Sequence, residues 1–216
     1  MYDTILFDLD GTLTDPKTGI TRSVQYALAK LGVDEPDPDA LVHFIGPPLL
    51  KAFQEFYHFD DQQAALAVQY YRERFASVGL YENAVFPGIQ QMLEQLTEQG
   101  KTLVVATSKP TIFSVKILEY FGLRDFFQLV AGSNLDGTRV EKSEVIEFAL
   151  SELAGHDSAK LLMVGDRKHD VLGAKQNQIA VAAIAYGYGS QEELREARPD
   201  YLFGTVRELH DFLQEN

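Results

Sequence analysis

Short apolar runs recur along the chain at Thr4–Phe7, 102–107, 128–131, 160–164 and 180–185, with a weaker one at Tyr201–Phe203. They are nearly continuous in apolar character rather than alternating, as strands are when both faces of a parallel sheet are covered. Stretches with helical spacing fill the gaps: 88–99, which follows Pro87 and stops at Gly100, then 111–121, 141–153 and 170–176. Val206, Leu209 and Leu213 mark a final amphipathic helix. Strands alternating with helices predict βαβ units and a doubly wound sheet.

One stretch breaks the alternation. Between the first strand and Phe86 the pattern is helical only. Ile20, Val24, Leu28 and Leu31 repeat at helical spacing, with Gly32 as the stop. Helical segments 41–45, Leu49–Tyr57 and 60–78 follow, separated by Pro36, Pro38, Pro47 and Pro48 or by short polar breaks. About seventy residues of helix are too many for a simple crossover. The expected fold is therefore α/β: a doubly wound, Rossmann-like parallel sheet core from residues 1–15 and 87–216, with an α-helical cap domain inserted at 16–86.

Composition narrows the chemistry. The 216 residues are 45% apolar, enough for a real core and too apolar for intrinsic disorder. Nineteen basic against thirty-two acidic residues give a net charge of −13, a field that repels a nucleic acid polymer. A small anion would need a locally positive pocket or a bound cation. With no cysteine, disulfides and thiolate metal sites are excluded. No basic segment followed by an apolar stretch opens the chain, and no apolar run nears the roughly 20 residues that span a bilayer. A cytoplasmic protein without a membrane partner is expected.

The candidate chemistry lies where strands end. Asp8 and Asp10 stand two apart at the exit of the first strand, so both side chains project the same way, at the edge where open α/β sheets bind ligands. Gly11 permits a sharp turn and the Thr12 hydroxyl can tie it. A second acidic pair, Asp166 and Asp170, follows the apolar run ending at Val164 and Gly165. Parallel strands put all their exits on one edge, so these four carboxylates can converge. Such a cluster without histidine or cysteine suits a hard divalent cation, Mg²⁺ above all. The run ending at Ala106 opens into Thr107, Ser108 and Lys109, hydroxyls and backbone N–H groups at a helix start, where phosphate oxygens are stabilised. Lys142, at the head of a later helix, would offset the concentrated negative charge.

Asp8-Leu9-Asp10-Gly11-Thr12, the strand ending at Thr107, Lys142, and Gly165-Asp166 with Asp170 together resemble the four motifs of the haloacid dehalogenase-like hydrolase superfamily, in order and over the whole chain. The resemblance implies a phosphomonoester hydrolase with Asp8 as nucleophile and Asp10 as the acid, then the base. It implies Mg²⁺ held by the Asp8 and Asp166 carboxylates and the Asp10 carbonyl, with Asp170 orienting a water behind them. It further implies that Thr107, Ser108 and Gly11 bind phosphoryl oxygens while Lys142 holds Asp8 and the phosphate together. An acid at position 10 sets the chain apart from the dehalogenases and from the transport ATPases, which carry threonine there, and argues for turnover to free phosphate.

Several phrases, Gly19 to Leu31, Phe44 to Leu49 and Ala106 to Pro110 among them, are similar to the bacterial 5′-nucleotidase branch, close to phosphoglycolate phosphatases. Ser108, where asparagine is frequent in the latter, and the basic stretch Arg167-Lys168-His169 depart from the phosphoglycolate pattern. His169 reads as a neighbour of the metal shell only. The implied partner is a small phosphorylated metabolite, first a nucleoside 5′-monophosphate, then glycolate phosphate; a sugar phosphomutase is more distant. Arg22, the turn at Gly46 and Lys109 are the candidate substrate contacts. The aromatics Phe44, Phe53, Phe56, Tyr57, Tyr70, Tyr71 and Phe75 read as bundle core before a base-stacking platform. A phosphoacceptor signalling domain shares the acidic cluster, hydroxyl and lysine, but is shorter and lacks a cap. A silent binding protein would have lost Asp8 or Asp10. The oligomeric state is open, a monomer being the expectation.

Overall fold

A computed structural model of the chain describes residues 1–216 apart from Ala154 and His156. Its contacts divide it into two compact units, Met1–Asp15 with Val85–Asn216, and Pro16–Ala84. The chain opens with β1 (Thr4–Phe7), four residues buried on both faces. It then builds the helical unit from α1 (Lys17–Lys30), a 3₁₀ segment (Asp39–Phe44), α2 (Leu49–Tyr57) and α3 (Asp61–Arg74). Back in the first unit come α4 (Ile89–Glu98), β2 (Thr102–Pro110), α5 (Thr111–Tyr120), β3 (Leu129–Ser133) and α6 (Lys142–Glu152). The chain finishes with β4 (Leu161–Gly165), α7 (Lys168–Gln176), β5 (Ala180–Ile184), α8 (Gln191–Ala197), β6 (Tyr201–Phe203) and α9 (Val206–Glu215).

The six strands form one sheet in the order β3-β2-β1-β4-β5-β6, parallel throughout. β1 lies in the middle, with Leu6 in register with Val104 on one side and Met163 on the other. The order therefore reverses beside β1, and the strand exits around that reversal are where such sheets place their ligands. Leu6, Val104, Met163 and Val181 bury one face of the sheet against Val145, Ile146 and Val171 of α6 and α7. The unbroken apolar strands thus have the two-sided covering that their pattern predicts.

Some local geometry differs from the pattern. β2 runs on to Pro110, with a register shift between Ala106 and Pro110 against β3, so an irregular strand end carries Thr107, Ser108 and Lys109. The segment read as helix at 41–45 is 3₁₀ over Asp39–Phe44, because prolines on both sides leave room for too few residues to settle an α-helix. The helix read through to residue 78 leaves α geometry after Arg74 and widens into π turns over Phe75–Gly79. Gly79 there packs against α1, where a Cβ on Gly19 would lie 2.1 Å from its carbonyl oxygen. Glu82 ties the same region by pairing with both Arg22 (2.8 Å) and Arg74 (2.7 Å). Two short extended segments, Thr14–Asp15 and Ala84–Val85, flank the helical unit where the pattern shows no strand. The Phe86 N–H donates to the Leu13 carbonyl, tying the returning chain to its point of departure.

Within the helical unit Phe44, Phe53, Tyr71 and Phe75 are buried, and Phe44 and Phe53 lie 4.9 Å apart between ring centroids. Phe56, Tyr57 and Tyr70 are only partly covered. Among the described residues no helix is long and apolar enough to cross a membrane.

Candidate active site

The exit of β1 is a tight turn. The Leu9 carbonyl accepts from the N–H groups of Thr12, Leu13 and Thr14, so the loop closes on its own backbone rather than through the Thr12 hydroxyl. Gly11 stands at φ 82°, where only glycine is at ease, and a Cβ there would lie 2.2 Å from an Asp166 oxygen. The Thr12 hydroxyl turns instead toward Asp166, at 3.4 Å. This corrects the expectation that it ties the turn.

Asp8 is buried. One of its carboxylate oxygens accepts from the Leu9 N–H at 2.8 Å and faces the Lys142 ammonium at 2.9 Å. Asp166, at the exit of β4, accepts from the Tyr188 N–H at 2.7 Å. Asp170, in the first turn of α7, accepts from the Arg167 N–H at 3.0 Å, capping its own helix, and pairs with Lys142 at 2.7 Å. Gly165 lets this happen, since a Cβ on it would overlap the Asp170 carboxyl group. Asp8, Asp166 and Asp170 each offer an oxygen within 4.8 Å of the others. Residues 158 positions apart thus meet at one sheet edge.

Lys142 gives its third proton to the Ala106 carbonyl at 3.0 Å, so all three N–H groups have acceptors. Its placement at the head of α6 joins the exits of β1, β2 and β4. Asp10 stands apart from the acidic triad. Its Oδ2 pairs with Lys109 at 2.6 Å, while its buried Oδ1 meets no hydrogen-bond partner among the described residues. Lys109, expected as a substrate contact, is thereby engaged by Asp10 on the sheet unit. Thr107 is buried and its hydroxyl accepts from the Lys109 N–H. The Ser108 carbonyl accepts from the Ser133 hydroxyl at 2.8 Å, which fixes the irregular end of β2 to β3. Arg22 and Gly46 belong to the helical unit: Arg22 is exposed and paired with Glu82, and Gly46 takes φ 107° in the turn before Pro47. His169 is no part of the acidic group, and burial followed by the neighbouring Arg167 and Lys168 charges lowers its pKa.

Four buried carboxylates face two buried ammoniums here, an excess of two negative charges when all are ionised. The electrostatics register that excess. Burial, then the charges of Asp170 and Asp8, pushes Asp166 well above the ordinary carboxylate range. Burial and Asp8 push Asp170 up to about 6 against the opposing pull of Lys142. Burial raises Asp10 too, although Lys109 counters it. Burial alone would lower Lys142, yet Asp170 and Asp8 together raise it. A group of oxygen donors with no imidazole, an unpartnered buried carboxylate oxygen and an excess charge of two is what a small divalent cation satisfies. The residues present therefore fit a hard metal ion.

Sequence pattern did not single out Tyr186, Gly187, Tyr188 and Gly189, which wrap Asp166 from the exit of β5. The available signal was the alternation of tyrosine and glycine directly after a strand whose exit shares the edge of the other four. Nor was Glu193 visible: it grips Arg167 at 3.0 Å and accepts from the Lys168 N–H at 2.9 Å, holding the start of α7 from α8.

The sequence matches the haloacid dehalogenase-like hydrolase family over residues 5–184. The chain belongs to this family. Among its relatives, a 5′-nucleotidase from Pseudomonas aeruginosa is 51% identical over 215 residues, covering 100% of this chain and 97% of that protein. The tyrosine-protein kinase PtkA of Mycobacterium tuberculosis is 37% identical over 211 residues, covering 97% of this chain and 72% of that protein. The crystal structure of a predicted phosphatase from Clostridium acetobutylicum superposes with a TM-score of 0.97 at 45% identity, each chain covered completely. This haloacid dehalogenase-like protein is an enzyme of the phosphatase kind.

Proposed function

We propose that the enzyme hydrolyses phosphate monoesters of small metabolites, nucleoside 5′-monophosphates first, through a covalent phosphate on Asp8. The observation that carries this reading is the Asp8 carboxylate itself, pinned by Lys142 and the Leu9 N–H beside the acidic pair of β4 and α7. The substrate class is supported by full-length similarity to a protein named a 5′-nucleotidase.

An Asp8 oxygen attacks phosphorus and the bond from phosphorus to the ester oxygen breaks, while Asp10 gives that oxygen its proton. Asp10, now ionised, takes a proton from a water molecule. That water attacks the phosphoryl group, which releases inorganic phosphate and restores Asp8. Thr107 and Ser108 bind phosphoryl oxygens and Lys142 offsets the charge that gathers on them, whereas the N–H of Gly11, expected to share that role, already donates to the Thr14 carbonyl at 2.8 Å. Asp8, Asp166 and the Asp10 carbonyl would hold Mg²⁺, with Asp170 steadying its hydration. When bound, the ion neutralises the clustered carboxylates and draws negative charge off the phosphate.

The test is phosphate release from p-nitrophenyl phosphate, expected to need Mg²⁺ and to vanish in Asp8→Asn. Activity surviving that change would remove the nucleophile. A panel of nucleoside monophosphates, phosphoglycolate and sugar phosphates, ranked by kcat/KM, tests the substrate; phosphoglycolate at its head would overturn the nucleotide assignment.

A further inference from the structure

The loop after β5 touches the acidic site without contributing a side chain to it. The Tyr188 N–H binds Asp166 Oδ2 at 2.7 Å. Both flanking glycines are required by crowding. A Cβ on Gly187 would come within 2.4 Å of Asp166 Cβ and of the Gly11 carbonyl oxygen, and one on Gly189 within 2.0 Å of the Asp166 carbonyl oxygen. The two tyrosines anchor the loop elsewhere. The Tyr186 hydroxyl donates to the Thr12 carbonyl at 2.9 Å, and the Tyr188 hydroxyl donates to the Asp15 carboxylate. Both anchors lie on the segment that follows Asp8 and Asp10. The loop is thus fastened to the exit of β1 by its hydroxyls and to Asp166 by its backbone.

We propose that Tyr186 and Tyr188 are positioning residues that set the spacing between the carboxylates of Asp8 and Asp166, and so the affinity of the site for its divalent cation. The inference rests on the reading that Asp8 and Asp166 share that cation. Asp166 can rotate about its own bonds, and in the native chain a backbone N–H fixes one oxygen. That N–H stays in place because the Tyr186 and Tyr188 hydroxyls fasten the loop to the Thr12 carbonyl and the Asp15 carboxylate. Groups that orient a metal ligand without touching the metal typically change its affinity about 10–100-fold when removed.

The experiment uses the whole chain and Mn²⁺ as the probe, with free ion read by electron paramagnetic resonance. Replacing both tyrosines, Tyr186→Phe with Tyr188→Phe, keeps the rings, including the edge contact of Tyr186 with Phe86. The dissociation constant for Mn²⁺ should rise about tenfold. The Mg²⁺ concentration for half-maximal phosphate release should rise in parallel, while kcat at saturating Mg²⁺ stays within about threefold of native, a split that a general loss of structure would not produce. Asp15→Ala removes one anchor without altering the loop and should weaken Mn²⁺ binding in the same direction. Asp15→Asn, which still accepts from the Tyr188 hydroxyl, should restore it. A native dissociation constant in Asp15→Ala, or in the double tyrosine variant where it folds, overturns the proposal. Asp166→Asn separates the two levels: native Mn²⁺ binding there overturns the shared-cation reading and the positioning role with it, whereas lost binding there beside native binding in Asp15→Ala overturns the positioning role alone.

Discussion

Lys142 joins three strand exits through one ammonium group, which makes it both a structural and a chemical residue. Lys142→Met would leave Asp8 and Asp170 facing each other without a counter-charge. Breaking a buried pair by removing one partner costs about 3–5 kcal/mol, so a lower melting temperature should accompany a fall in phosphate release of at least about a hundredfold. Asp10 makes a contrasting case, because its carboxylate pairs with Lys109 outside the acidic triad. Asp10→Asn should slow turnover by roughly 10²–10⁴ while Mn²⁺ binding, followed by the same resonance signal, is largely retained. Loss of ion binding in that variant would show that the Asp10 side chain belongs to the cation site. Asp8, Asp10, Asp166 and Asp170 could be read from the sequence because carboxylates at the ends of apolar runs are conspicuous. The pairing of Lys109 with Asp10 could not, since it depends on the irregular end of β2, which no periodicity records.

At the scale of elements, the helical unit is held by contacts that its apolar pattern leaves out. Glu82 lies between Arg22 and Arg74, and hydrogen bonding from Arg74, with Arg22 adding to it against a smaller opposing effect of burial, holds its carboxyl below the usual value. A carboxylate lowered by folding stabilises the fold above its unfolded pKa and ceases to do so as acid protonates it. Glu82→Gln should therefore reduce stability at neutral pH by about 1 kcal/mol, roughly 2–4 °C in melting temperature for a chain of this size. The difference from native should shrink once the pH falls below the ordinary value of 4.5. A difference that persists in acid would mean that packing rather than charge is at stake. The helices α1 and α2 and the strands were legible from spacing. The 3₁₀ segment and the π turns were not, because local hydrogen-bond registers depend on proline placement and on the close approach of Gly19 to Gly79.

For the molecule as a whole, the excess of carboxylates at one sheet edge is a standing cost that a divalent ion relieves. Mg²⁺ at about a hundred times its dissociation constant should stabilise the protein by about 2.7 kcal/mol, visible as a higher melting temperature, and Asp166→Asn should abolish the increase. The parallel sheet was legible because the apolar runs recur along the entire chain. The strand order was not, as periodicity says nothing about which neighbours pair.

That order has a consequence for how the polypeptide acquires its shape. β1 precedes every other strand yet sits between β2 and β4, whose registers with it begin at Thr102 and Leu161. During synthesis Ile5, Leu6 and Phe7 must wait, unpaired and greasy, until β2 has emerged, and their other edge stays open until β4 follows. Contacts so distant in sequence slow folding and leave early intermediates sticky. A nascent chain of this design has reason to engage a chaperone before its sheet can close.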